Sequence, residues 1–273
     1  MKVLAPLHFL HSFLSRLDVQ PGPLELKCNA RASVIGNNWR SVVWGGPKGD
    51  RKFVAISSTE IGNRIMISPE GETWTSPVSD SSLNWLCLAW GGLVGKEVFV
   101  AVVASDTVTQ LMTSSDGISW SSIPTSSIMD WSSITWGGLV GEEKFVAVAQ
   151  RMSGTNIMTS PDGINWTLHY SGVENGFVSI TFGGAEGDKK FVAIAASGFG
   201  NTIVTSTDGI KWISQTAAKD YWQSVTWIAD NGLNEFVAVA NSANNKRTMS
   251  SLDGISWTLQ QATTMHLEHQ EID

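Results

Sequence analysis

Apolar positions recur along this chain in blocks of constant length. Each block holds a run in which Phe and Ala alternate with Val or Ile: FVAIS from Phe53, FVAVV from Phe99, FVAVA from Phe145, FVAIA from Phe191 and FVAVA from Phe236. Each run is followed by a polar turn that closes on tryptophan. The closing residues, Trp74, Trp120, Trp166, Trp212 and Trp257, lie 46, 46, 46 and 45 residues apart. A second ladder stands 35 residues upstream of each, at Trp39, Trp85, Trp131, Phe177 and Trp222, and a third follows at Trp44, Trp90, Trp136, Phe182 and Trp227. All 13 tryptophans fall on these ladders, so none has a private position. A fixed period of this size marks an array of one supersecondary unit.

The third block shows what one unit contains: DWSSITWGG from Asp130, KFVAVAQ from Lys144, TNIMTS from Thr155 and NWTLHYS from Asn165. Val, Ile, Thr and Trp dominate these segments and Gly, Asp, Asn and Ser separate them, the pattern of four short strands with reversals. Nothing in the unit asks for a helix. The last two strands are joined by Ser-x-Asp-Gly turns at Ser114 and Asp116, Ser160 and Asp162, Ser206 and Asp208, and Ser251 and Asp253, with Ser68 and Glu70 in the first copy. Aspartate there bonds forward to backbone amides, and glycine supplies positive φ. Trp74, Trp120, Trp166, Trp212 and Trp257 are expected to cover these turns as buried core residues. The FVAVA run is apolar on both faces, so each sheet must be covered on both sides. The expectation is an all-β, five-bladed β-propeller of four-stranded antiparallel blades near 38–83, 84–129, 130–175, 176–220 and 221–263.

Residues 1–37 do not carry the full repeat. Within them, 24–36 keep its register, with Cys28 at a closing-Trp position, and read as an extra outer strand that closes the ring. A degenerate sixth blade competes with that reading, but the tail 264–273 has no WxxxxWGG or FVAVA segment to complete it. The opening MKVLAPLHFLHSFLSRL is apolar yet interrupted by His8 and His11, and no small-x-small site follows. A secretion signal and a short amphipathic cap are both compatible with it. No stretch reaches the roughly 18–20 apolar residues of a membrane-spanning helix.

Charge narrows the partners. The chain carries 18 Lys and Arg against 25 Asp and Glu, a net −7. Without a basic cluster, nucleic acid and anionic membranes are poor partners. Cys87 stands where other copies have Ser and reads as a buried filler; its pairing with Cys28 is left open. No zinc spacing, phosphate loop or dinucleotide fingerprint occurs, so neither metal nor cofactor is expected.

The five SxDGxxW turns resemble Asp boxes, the repeats of bacterial-neuraminidase type found between the third and fourth strands of many propellers. The usual box has one more residue between Asp and Gly, and the first copy here has Glu70. The resemblance implies architecture; its members include sialidases, other glycosidases, sorting receptors, assembly factors and lectins. Sialidases carry an Arg-Ile-Pro motif, an arginine triad and a Tyr/Glu pair. This chain has no RIP string, only Tyr170 and Tyr221, and seven arginines at non-equivalent repeat positions. Glycosidases need two carboxylates facing each other across a bond. No acid stands out for that role, so the expectation is a chain without catalytic activity. It would bind a glycan through Trp44, Trp90, Trp136 and Trp227 of the W-G-G loops, or dock protein partners as a scaffold or assembly component.

Overall fold

The computed structural model describes residues 36–58, 64–77, 84–104, 110–125, 129–150, 154–196, 202–230, 232–241 and 247–261. The expected closing strand at 24–36, Cys28, the apolar N-terminal segment and the tail lie outside these residues, apart from Gly36. The rest forms five antiparallel sheets arranged as a propeller, and no helix occurs among the described residues.

The first blade holds β1 (Trp39–Gly45), β2 (Lys52–Ser57) and β3 (Ile65–Ser68). The second holds β4 (Asn84–Gly91), β5 (Val98–Ala104), β6 (Gln110–Ser114) and β7 (Ser121–Pro124). Next come β8 (Trp131–Gly137), β9 (Lys144–Ala149), β10 (Ile157–Ser160) and β11 (Thr167–His169). The fourth has β12 (Phe177–Gly183), β13 (Lys190–Ala195), β14 (Ile203–Ser206) and β15 (Ile213–Gln215); the fifth has β16 (Trp222–Asp230), β17 (Leu233–Ala240), β18 (Arg247–Ser251) and β19 (Thr258–Gln261). Strands pair in sequence order, as short hairpin connections dictate. The expected fourth strand is reduced in the first blade to one bridge, Ile67 to Thr75. In that register Pro77 would face Ile65, and proline has no N–H to continue the ladder.

The first strands of successive blades pack against one another in the order β1, β4, β8, β12, β16, which makes them the inner strands. Each carries a β-bulge two residues before its buried centre, at Trp39/Ser41, Trp85/Cys87, Trp131/Ser133, Phe177/Ser179 and Trp222/Ser224. The bulge turns a small polar side chain towards the next blade. Ser41 Oγ accepts from Leu88 N at 3.2 Å, Ser133 Oγ from Ile180 N at 3.3 Å and Ser179 Oγ from Val225 N at 3.1 Å.

Between blades, a Val/Ile face meets a Phe/Ala face. Val54, Ile56 and Ile65 lie against Trp85, Phe99 and Ala101; Val100, Val102 and Leu111 against Trp131, Phe145 and Ala147. Val146, Val148 and Ile157 meet Phe177, Phe191 and Ala193, and Val192, Ile194 and Ile203 meet Trp222, Phe236 and Ala238. Bulky rings thus fill the space that the alanines leave. A fifth cluster, Val42, Phe53, Ala55 and Met66 with Trp39, Trp44 and Trp74, belongs to the first blade alone. Five blades therefore share four seams among the described residues, and no comparable cluster joins the fifth blade to the first.

Candidate functional site

The turns between third and fourth strands are closed hydrogen-bond units. In the third blade Ser160 Oγ accepts from Gly163 N at 2.8 Å and donates to Asp162 Oδ1 at 2.9 Å. Asp162 Oδ1 also accepts from the amides of Ile164 and Asn165, both at 2.8 Å, and the Trp166 indole N–H donates to Gly163 O at 3.1 Å. Ser114 and Asp116, Ser206 and Asp208, and Ser251 and Asp253 repeat the arrangement, each closed by the indole of Trp120, Trp212 or Trp257. Partial burial works to raise the pKa of Asp162, but the amides of Asn165 and Ile164 outweigh it and hold the group down to about 2. Asp116, Asp208 and Asp253 are lowered in the same way. In the first blade Ser68 Oγ still accepts from Gly71 N, and Trp74 still donates to Gly71 O, but the longer Glu70 accepts from Thr73 N alone among its turn amides. These carboxylates hold turns.

The closing tryptophans depart from the expectation of full burial. All five are half-buried, because one edge stays at the surface while the indole N–H is tied to the turn. The buried tryptophans belong to the second ladder, Trp85 and Trp222 at 0% exposure and Trp131 at 2%, and Phe177 of the same ladder is also at 0%.

The tryptophans expected to bind ligand sit at the seams. Trp90 packs on Phe99 at 4.4 Å, Trp136 on Phe145 at 4.6 Å and Trp227 on Phe236 at 4.6 Å. Each also crosses a glycine of the preceding blade so closely that a Cβ on Gly45, Gly91 or Gly183 would lie 2.4, 2.2 or 2.1 Å from the ring of Trp90, Trp136 or Trp227. Trp44 packs on Phe53 at 4.6 Å within the first blade. It lines a concavity of about 390 Å³ with Gly49, Arg51 and Pro69. A second concavity of about 370 Å³ adjoins it through Arg51 and Pro69 and includes Asp50, Lys52, Glu70 and Thr73.

A wider surface lies on the same ring face. The hairpins between first and second strands and the Ser-x-Asp-Gly turns emerge at one end of every blade, and Lys144 Nζ, which donates to Asp208 O of the next blade at 2.8 Å, ties the two sets together. Among the described residues, ten of the fourteen exposed large apolar side chains lie on this face, including Leu93 at 55%, Leu139 at 49%, and Val94 and Val140 at 97%. In its ten turns carboxylates outnumber Lys and Arg by twelve to five. The opposite face carries Tyr170 and Tyr221, both exposed. The sequence reading concentrated on tryptophan and missed the Leu-Val tips. Their signal is the G-G-L-V-G of the second and third copies against G-G-P-K-G and G-G-A-E-G in the first and fourth.

Other candidates disperse. Arg51 sits at the turn end of the first blade, whereas Arg40 and Arg64 lie at the opposite end of its strands, so they do not converge. His169 Nε2 and Thr159 Oγ1 are 2.8 Å apart, and burial lowers the imidazole pKa. Cys87 is a free, buried thiol beside Ser133, its pKa raised by burial. Among the described residues no group of three His, Cys, Asp or Glu is placed to hold a metal ion, and no helix is long and apolar enough to cross a membrane.

No protein-family model and no curated protein sequence matches the chain. Solved structures resemble it in fold. Virginiamycin B lyase from Staphylococcus aureus, in a catalytically inactive form with quinupristin, superposes with a TM-score of 0.65 at 11% identity, over 86% of this chain and 73% of the lyase. An auxiliary nutrient binding protein from Bacteroides thetaiotaomicron gives 0.51 at 9%, over 73% and 56% of the two chains. BBS1N, solved in complex with ARL6DN, gives 0.52 at 8%, over 77% and 63%. The lyase overturns the expectation that the chain is not an enzyme. That expectation rested on the absence of recognisable catalytic groups, and a propeller similar to this one is catalytic. At these identities the likeness shows the β-propeller fold and transfers no residue.

Proposed function

We propose that this propeller is a binding platform that engages a protein partner through the ring face carrying the Ser-x-Asp-Gly turns. The carrying observation is the pair of Leu-Val tips on adjacent blades, with Val94 and Val140 97% exposed in an acid-rich surround. Exposed apolar side chains rimmed by charge mark interaction surfaces. The acid excess suits a partner with basic groups around an apolar patch and disfavours an anionic membrane. Variable turns on a constant scaffold fit this role. BBS1N, a propeller solved with a protein bound, illustrates the mode. The test is affinity isolation from the native source with the wild type and with the variant Val94→Ser/Val140→Ser. A protein chain retained only by the wild type supports the reading; equal retention by both refutes it.

A glycan is the second reading, favoured by the concavity where Trp44 adjoins Arg51 and, through it, Asp50 and Glu70. An aromatic face beside a guanidinium and carboxylates suits a sugar ring and its hydroxyls. Screening a glycan panel with wild type and Trp44→Ala decides it, since specific binding at this place disappears in the variant.

A further inference from the structure

Four blades close the hairpin between first and second strands with one and the same turn. The amides of Asp50, Lys96, Glu142 and Asp188 donate to the carbonyls of Pro47, Leu93, Leu139 and Ala185 at 2.8 or 2.9 Å. Gly49, Gly95, Gly141 and Gly187 hold positive φ at the third position, the arrangement of a type II turn. The second position is Lys48, Val94, Val140 or Glu186, exposed in every case. The turn therefore accepts a charged side chain there, and nothing in its geometry calls for valine in the second and third blades.

The two valine-tipped turns also share a brace. Glu97 Oε2 accepts from Gly95 N at 2.8 Å, and Glu143 Oε2 accepts from Gly141 N at 2.8 Å. In the first and fourth blades the bracing position is Arg51 or Lys189, neither of which has an acceptor to offer. Each brace fixes an apolar tip and sets a carboxylate at its foot. Glu142 adds a third acid, and Lys96 is the single base within residues 93–97 and 139–143. The tips stand on adjacent blades, above the seam where Trp136 crosses Gly91. A Cβ on Gly163 would lie 3.0 Å from the Val98 side chain, so the Asp162 turn abuts the base of the first tip. Stacked sheets lie about 10 Å apart, a distance that about three extended residues span.

We propose that Val94 and Val140 act together as one bidentate site for a basic segment of the protein partner, with two apolar side chains seated on the valines and Lys or Arg beside them facing Glu97, Glu142 and Glu143. This rests on the platform reading above and adds the chemistry of the segment that makes the contact. Charge complementarity selects the occupant. A second copy of this chain would bring the same acidic tips and be repelled by them. Bracing the turns before binding lowers the ordering cost of the complex.

The probe is a peptide. Random dodecapeptides displayed on phage are selected on the wild type and counter-selected on Val94→Ser/Val140→Ser, and the expected consensus carries two apolar residues flanked by Lys or Arg. A synthetic peptide of that consensus should bind one to a chain in a fluorescence anisotropy titration. Val94→Ser or Val140→Ser alone should weaken it by about tenfold, the effect of one buried valine. Glu97→Gln/Glu143→Gln keeps both acceptors for the glycine amides and removes their charge, so affinity falls and its dependence on salt flattens. Circular dichroism melting establishes that each variant is folded. Failure to select a peptide, two peptides per chain, a consensus without basic residues, or full affinity in the single serine variants overturns the bidentate site. So does valine-dependent self-association in sedimentation velocity, which would make a second copy the occupant. If isolation from the native source still recovers a valine-dependent protein, these outcomes leave the platform reading standing; capture that ignores the valines overturns both.

Discussion

At the scale of single residues, the Ser-x-Asp-Gly turn decides how the protein responds to acid. Asp162 has its folded pKa depressed to about 2, while in an unfolded chain a carboxyl titrates near its ordinary value. A depressed carboxyl contributes stability above its unfolded pKa and loses it as pH falls through the folded value. Melting temperature is therefore expected to hold from neutral pH to about 5 and fall between roughly pH 4 and 2, with a shallower fall in Asp162→Asn, as scanning calorimetry can follow. Glu70 shows the reverse opportunity. Glu70→Asp shortens the side chain so that it reaches two amides instead of one, and stability should rise by less than about 1 kcal/mol in denaturant titration. The ladders also differ in weight: Trp85→Ala should cost about 3–5 kcal/mol by the large-to-small rule, and Trp166→Ala clearly less, since half-burial leaves less to lose.

At the scale of elements, the seam glycines set how close two inner strands come. Gly137→Ala places a Cβ 2.2 Å from Phe182 Cγ, so the blades must part; a loss of about 1–3 kcal/mol is expected from overpacking. Gly141→Ala, four residues on, meets nothing within 4 Å and strains only its backbone at φ 86°, so denaturation midpoints should separate the two. Blade number, strand order and the alternation of faces were legible in the sequence because they follow from periodicity: the Phe/Ala and Val/Ile alternation of FVAVA states which face meets which. The role of W-G-G was not legible. Sequence places Trp90 and Gly91 side by side, yet each serves a different seam, the ring against the blade before and the glycine against the blade after. Surface sites were the least legible, since Leu93 and Val94 break no repeat position and only their exposure reveals them.

At the scale of the molecule, a rigid stack presents one ring face with apolar tips and acidic turns. Replacing Val94 and Val140 by Ser should leave the melting temperature within about 1 °C of wild type, because both side chains lie almost wholly in solvent, while partner capture falls. The fold was predicted and the partner was not, for the same reason: repetition fixes what the copies share, and recognition resides where they differ.

Four seams joining five blades in series also fix how the molecule comes apart. Among the described residues the third blade is buttressed on both sides by blades that are themselves buttressed, whereas the first and fifth each share one such seam. Such a series behaves as a row of coupled units whose protection decays outward. Amide hydrogen exchange should thus be slowest in the middle of the row, at Val146 and Val148, and quickest in the two terminal sheets, which would detach first on warming.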